Sequence, residues 1–132
     1  MPLKIFYVSG VVIFTIFSLL QINDVDQYGN HDAWSWVLIY AVAAILNVLM
    51  FLKRATLAVL YTWSGFSAGA LLFRLQDDVG NFHFERLNPQ TFWNERTATM
   101  VQQSNECGGL FIVLVWAVVL VLLKYRNSGG RY

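Results

Sequence analysis

The chain alternates between long apolar runs and short polar interruptions, and the runs have lengths that carry structural meaning. The first, over residues 8–20, is almost unbroken, and three more follow, so that residues 3–22, 33–52, 55–73 and 107–123 are each apolar along nearly their whole length. A hydrocarbon core is crossed by roughly 20 helical residues. Inside lipid no water is present to satisfy backbone amides, so each such run is predicted to be an α-helix; a closed barrel would need many short alternating strands, which the pattern lacks. Lys4 ahead of an apolar core resembles a secretory leader, but the run is long for one and no small-x-small cleavage site follows it, so a retained helix is expected.

The polar interruptions are unequal. About ten residues follow the first run, almost nothing but Lys53 and Arg54 follows the second, and about thirty (74–106) precede the fourth, against a usual two to eight between packed helices. Residues 91–106 contain no Gly or Pro until the fourth run begins and follow Asn88-Pro89-Gln90-Thr91, so a helix capped near Thr91 and running into the fourth span is predicted. On that helix Glu95, Thr99, Gln102 and Glu106 would share a polar face.

Composition agrees with the pattern. Of 132 residues 57% are hydrophobic and 13% charged, whereas a soluble domain carries about 45–50% and about 25%. The net charge of +1, without a basic stripe, excludes a nucleic-acid binder. The single cysteine, Cys107, excludes an intrachain disulfide and a cysteine-built zinc cage.

Charge sets the orientation. With four spans, Lys4, Lys53, Arg54, Lys124, Arg126 and Arg131 fall on one side, six cations without an acid. All eight acids fall on the other with Arg74, Arg86 and Arg96, giving 3 − 8 = −5 against +6. The positive-inside bias then predicts both termini in the cytoplasm and the acidic loops outside. Trp34 and Trp36 at one boundary and Tyr125 at the other fit interfacial belts.

Within the spans the polar groups are few. Gly65 and Gly69, four apart, with Ser64 and Ala68 beside them, are expected to let a neighbouring helix of the same chain approach closely, or a second copy. Asn47 and Thr62 are expected to form interhelical hydrogen bonds. No ionisable side chain lies deep in a span, which counts against an ion channel, a proton pump or an ion-coupled transporter.

The candidate chemistry sits at the outer span ends. The first span is expected to end at Asn23-Asp24-Val25-Asp26 and the fourth to begin at Asn105-Glu106-Cys107-Gly108-Gly109. A carboxylate just past a helix C-terminus needs a positive neighbour; Arg74 is the first candidate, Arg96 the second, a metal cation the third. Three readings follow. The acids are structural and paired with arginine; or Asp24, Asp26 and Glu106, with His31 or His83, surround a divalent cation or polar ligand; or the same carboxylates hold a metal that activates water. Residues 24–32 match the calcium-loop pattern at Asp24, Asp26 and Gly29, but Tyr28 stands at the fifth position and Ser35 where a bidentate glutamate is required, so that cage cannot close. Phe82, Phe84, Phe92 and Trp93 are expected to fold the long loop onto the bundle or membrane, with His83, between two of them in sequence, packed rather than a ligand. No nucleophile elbow, phosphate loop, HExxH or haem-attachment motif is present.

Asn23-Asp24-Val25-Asp26 after the first span and Glu106 followed by Gly109-Leu110 at the fourth, with Trp36, Tyr40 and Trp116, resemble the transmembrane protein 220 family of small four-helix membrane proteins. The resemblance covers most of the chain and implies an all-α, four-span fold pointing at Asn23, Asp24, Asp26, Glu106, Gly109 and Leu110, without supplying a substrate. Val25 stands in place of that family's proline, residues 28–32 look like an extension, and Gln102, Gln103 and Asn105 replace more charged residues.

The sequence therefore predicts one all-α domain over residues 1–132, an integral membrane four-helix bundle with both termini inside and a long, partly helical outer loop. Gly65, Gly69 and Gly109 are assigned structural roles. The expected function is non-enzymatic: binding of a divalent cation or polar ligand through Asn23, Asp24, Asp26, Glu106 and Arg74, or service as an accessory subunit in the bilayer to another membrane protein or in a homo-oligomer. The alternative is a membrane-embedded metal-dependent hydrolase using Asp24, Asp26 and Glu106.

Overall fold

The computed structural model describes the backbone of residues 2–28, 32–96, 99–100 and 102–129, and the side chains of the same residues except 23–28 and 99–100. Four helices dominate: α1 (Pro2–Tyr28), α2 (Ala33–Phe51), α3 (Leu57–Leu75) and α4 (Gln102–Ser128). Between α3 and α4 lie two short 3-10 turns, Phe84–Leu87 and Pro89–Thr91, and a two-stranded antiparallel ribbon of β1 (Trp93–Asn94) and β2 (Thr99–Met100), in which Trp93 faces Met100 and Asn94 faces Thr99.

Among the described residues three helices are long and apolar enough to cross a membrane, over Pro2–Ile22, Ala33–Phe51 and Gln102–Ser128. The fourth, α3, matches α2 in length at 19 residues. Its hydroxyl and small residues, Thr62, Ser64, Gly65, Ser67 and Gly69, and its terminal Arg74 make it less apolar.

Two expected boundaries are corrected. The apolar span of α1 ends at Ile22, but the helix does not end within Asn23–Asp26 and runs on to Tyr28, so Asn23, Asp24 and Asp26 lie on helical backbone. Polarity ends the apolar span, but the helix itself meets no breaker until Gly29. The same extension removes the calcium-loop comparison, because Asp24 to Tyr28 are not loop. The helix expected over residues 91–106 is present only from Gln102. Upstream, local bonds compete with it: Asn88 Oδ1 accepts from Gln90 N at 3.1 Å, Thr91 Oγ1 donates to Asn88 O at 2.7 Å, and Asn94 Oδ1 accepts from Arg96 N at 3.0 Å. Thr, Phe and Trp at 91–93 and Thr99 favour the ribbon geometry that results. Glu95 and Thr99 therefore share no helix face with Gln102 and Glu106.

The chain divides into two compact units, Met1–Leu60 with Leu122–Tyr132, and Tyr61–Val121. In the first, α1 and α2 pack antiparallel. Lys4 Nζ lies over the Phe51 ring at 5.8 Å, Gly10 meets Asn47, Phe14 stacks near Tyr40 at 6.4 Å, and Ser18 Oγ donates to Val37 O at 3.0 Å. Buried residues Tyr7, Gly10, Phe14 and Ser18 recur every three or four positions, and Ile5, Val8, Val12, Ile16 and Leu19 form the exposed stripe opposite. Apolar side chains gain nothing by leaving lipid for protein, so this seam is held by close packing. Gly10 shows how close, since a Cβ there would overlap the Asn47 carboxamide. Asn47 is fully buried and donates Nδ2 to Ala43 O of its own helix at 2.9 Å.

The link between α2 and α3 turns within residues 52–56. Lys53 adopts φ 59°, and Arg54 N bonds back to Leu49 O at 2.8 Å while Lys53 N bonds to Met50 O at 3.1 Å, which satisfies the last carbonyls of α2. Thr56 then opens α3, its Oγ1 accepting from Val59 N at 3.3 Å.

In the second unit α4 turns one face inward, Leu110, Val113, Ala117, Leu120 and Val121 all being buried. Gly65 and Gly69 of α3 are exposed, and a Cβ on either would meet nothing within 4 Å. Within their unit, no described residue packs closely on them, in contrast to the close intrachain approach expected there. Thr62, expected to bond between helices, is exposed on α3 as well.

Candidate functional site

At one end of the second unit the termini of α3 and α4 and the loop between them build a polar cap. Arg74 occupies the last turn of α3, and Glu106 sits in the second turn of α4 at 8% exposure. Arg74 Nη1 lies 3.1 Å from Glu106 Oε2, and Gln102 Nε2, one turn earlier on α4, donates to Glu106 Oε1 at 3.1 Å. Each oxygen of this buried carboxylate thus has a donor. Arg74 is the first of the counter-charges expected from the sequence; Arg96, the second, is exposed in the ribbon turn.

The backbone of the same arginine anchors the loop. Arg86 Nη1 donates to Arg74 O at 2.7 Å and to Gln76 O at 3.3 Å, and the Cys107 thiol donates to Arg74 O at 3.5 Å. The terminal carbonyls of α3 are therefore satisfied by a loop arginine and by α4, and a cation there also suits the helix dipole. His83 N bonds to Leu75 O at 2.8 Å, extending the attachment.

Beyond it, Asp77 organises a tight turn. Its Oδ1 accepts from Val79 N at 3.0 Å and Asn81 N at 2.8 Å, and Gly80 takes φ 89°, which glycine adopts freely. The His83 ring spans two carboxylates, Nε2 lying 3.1 Å from Asp77 Oδ2 and Nδ1 2.7 Å from Glu85 Oε1. Asp77 is held well below the usual carboxylate range, first by His83 and then by the Asn81 backbone. His83 is pushed up, first by Asp77 and then by Glu85, and Glu85 is pushed down, first by its own backbone N–H and then by His83. His83, expected to be packed rather than a ligand, has its ring against these two acids, while Phe82 and Phe84 stack on each other at 5.6 Å.

The ribbon side of the loop is fastened to α4. Phe92 lies against Gly108 so closely that a Cβ there would fall 2.6 Å from Cζ, and Thr91 Oγ1 is 3.2 Å from Ser104 Oγ. Gly109 is buried beside it.

The arrangement brings together Arg74, Gln102 and Glu106. Among the described residues no three His, Cys, Asp or Glu side chains converge as metal ligands. The side chains of Asn23, Asp24 and Asp26, and His31 altogether, lie outside the described residues. Sequence reasoning missed Arg86, Asp77 and the Gly10 and Gly108 contacts. Asp77-Asp78-Val79-Gly80-Asn81 carries a turn signal that points to Asp77; nothing local marks Arg86 as a helix cap.

No curated protein and no solved structure matches the chain. The model of a family described as transmembrane family 220, helix, matches residues 13–122, from the first span through the cap to the last turns of α4. With four helices among the described residues, three of them long and apolar enough to cross a bilayer, this all-α integral membrane protein belongs to transmembrane family 220.

Proposed function

We propose that the protein is a non-enzymatic accessory component of a membrane, a single four-span domain over residues 1–132 with both termini on the cytoplasmic side. It offers its polar cap on the opposite face to a partner membrane protein or polar ligand. The observation that carries this reading is Glu106, whose two carboxylate oxygens are taken up by Arg74 and Gln102. A carboxylate so engaged serves as a structural counter-ion, and it braces the surface on which Arg86, Asp77 and His83 fix the loop. Asn23, Asp24 and Asp26 on the polar end of α1 are the contact residues of this proposal in the first unit, and in the second Arg74 and Glu106 brace the cap. Segregation of six cations from eight acids supports the sidedness.

Four measurements test it. Arg74→Gln should lower the melting temperature in detergent, because it strands a buried carboxylate. The double variant Asp24→Asn/Asp26→Asn should leave that temperature unchanged and reduce co-purification of stoichiometric partner chains. Stoichiometric divalent metal in the purified protein, lost in Glu106→Gln and Asp24→Asn, would instead establish the cation-binding or metal-hydrolase chemistry. A C-terminal reporter active only outside the cytoplasm would overturn the sidedness.

A further inference from the structure

A second surface, at the opposite end of α1 from its acids, carries a different chemistry. Between α1 and α2 runs an open apolar groove of about 200 Å³, lined by Val8, Val11 and Val12 from one helix and Val48 and Phe51 from the other. These residues lie within the apolar spans of both helices, so the groove is at membrane depth and is wetted by acyl chains rather than water. At its end the polarity changes within one turn. Lys4, one turn before Val8, holds its ammonium over the Phe51 ring at 5.8 Å. Lys53 and Arg54 curl back over the last turn of α2, their backbone amides bonded to Met50 O and Leu49 O. All three side chains are exposed, and residues 2–22 and 33–60 contain no acid to neutralise them.

We propose that this groove is a binding site for an anionic glycerophospholipid, with one acyl chain along Val8, Val11, Val12, Val48 and Phe51 and its phosphate among Lys4, Lys53 and Arg54. The occupant follows from the charge. A zwitterionic lipid fills the groove equally well but brings a cation to three cations, whereas an anionic headgroup brings net opposite charge at the mouth of an apolar channel. Basic pockets between transmembrane helices take anionic headgroups for this reason. The site is independent of the polar cap, since its residues come from α1, α2 and the turn after α2.

The test compares thermal unfolding of the detergent-purified full chain with added dioleoyl phosphatidylglycerol, dioleoyl phosphatidylcholine or inorganic phosphate, with native mass spectrometry counting retained lipid. Phosphatidylglycerol is expected to raise the melting temperature by at least about 3 °C more than phosphatidylcholine, phosphate to leave it unchanged, and one lipid to be retained. The variant Lys4→Gln/Lys53→Gln/Arg54→Gln should lose the difference. So should Val12→Trp, which keeps the cations but fills the groove from a position already 51% exposed; Val8→Phe, at 50% exposure, gives the same reading if Val12→Trp fails to fold. Equal responses to the two lipids, an equal response to phosphate, or a preference surviving in the groove-filled variant would overturn the site, the last by reducing the effect to unspecific attraction.

Discussion

The α1–α2 seam and the α3–α4 cap are both contacts between helices, yet they are made from opposite materials. At the seam a glycine, an asparagine and an aromatic cluster of Phe14, Phe17, Trp36 and Tyr40 interlock by shape, and no ion pair takes part among the described residues. At the cap the contacts are a guanidinium on a buried carboxylate, a second guanidinium on helix-end carbonyls, and an imidazole between two acids. The difference follows solvent. In hydrocarbon only packing distinguishes protein from lipid, and polar groups there must be satisfied at once; at the span ends water and loops make charge affordable and directional. The seam should therefore respond to volume and be indifferent to salt and pH, and the cap should respond to charge.

The sharpest way to break that contrast is at Phe14, whose side chain is fully buried against Tyr40. Phe14→Ala should cost about 3 kcal/mol, read as a fall in detergent melting temperature independent of ionic strength. Arg74→Gln should cost about 1–3 kcal/mol, less than a mid-bilayer charge because Arg74 is 37% exposed at the helix end. Its signature is rescue: adding Glu106→Gln should recover most of the loss in a double-mutant cycle, and additivity of the two would show that the ion pair does not brace the cap.

A smaller effect asks whether the cap also depends on fit. Gly108→Ala places a methyl against the Phe92 ring and should cost about 1–2 kcal/mol. Phe92→Leu in the same chain should relieve it; no relief would mean the ring is not what limits the site.

The smallest effect is the pH response of the loop. His83 has its pKa raised above 6.5 in the fold, so its contribution is complete below 6.5 and fades as pH rises through the raised value. Asp77 has its pKa lowered, so its contribution holds above 3.8 and fades only as pH falls below that. The facing charges are Asp77, Glu85 and Arg86. Amide exchange over residues 76–92 should accelerate as pH rises above 6.5 beyond its intrinsic pH dependence, and His83→Gln should remove that excess. An unchanged excess in the variant would detach the loop from His83, and the seam should show none in either protein.

The seam and the cap were not equally legible in the sequence. Helices over Pro2–Ile22, Ala33–Phe51 and the fourth apolar run follow from apolar length, because lipid leaves the backbone no alternative to helix, whereas Arg74, sought first as the counter-charge of Asp24, is found on Glu106. The helix expected from Thr91 failed because Asn88 and Asn94 close local turns that compete with the first helical turn. Gly65 and Gly69 were conspicuous by spacing yet have no close contact at their Cβ positions among the described residues, while Gly10, with no small partner four residues away, makes a closer approach than either. Spacing reports which residues share a face, and only the partner's side chain decides whether that face is crowded. Arg86 was illegible because its acceptors are carbonyls, which every residue possesses.

The helix lengths carry one more consequence. α2 and α3 have 19 residues each, and α1 and α4 have 27 each. At 1.5 Å per residue that is about 28 Å for the inner pair in sequence and about 40 Å for the outer pair, against a hydrocarbon thickness of about 30 Å. α2, apolar along its whole 19 residues, has no length in reserve, so it acts as a gauge. In a thicker bilayer lipid would have to draw inward around it, at a cost of a fraction of a kcal/mol per ångström.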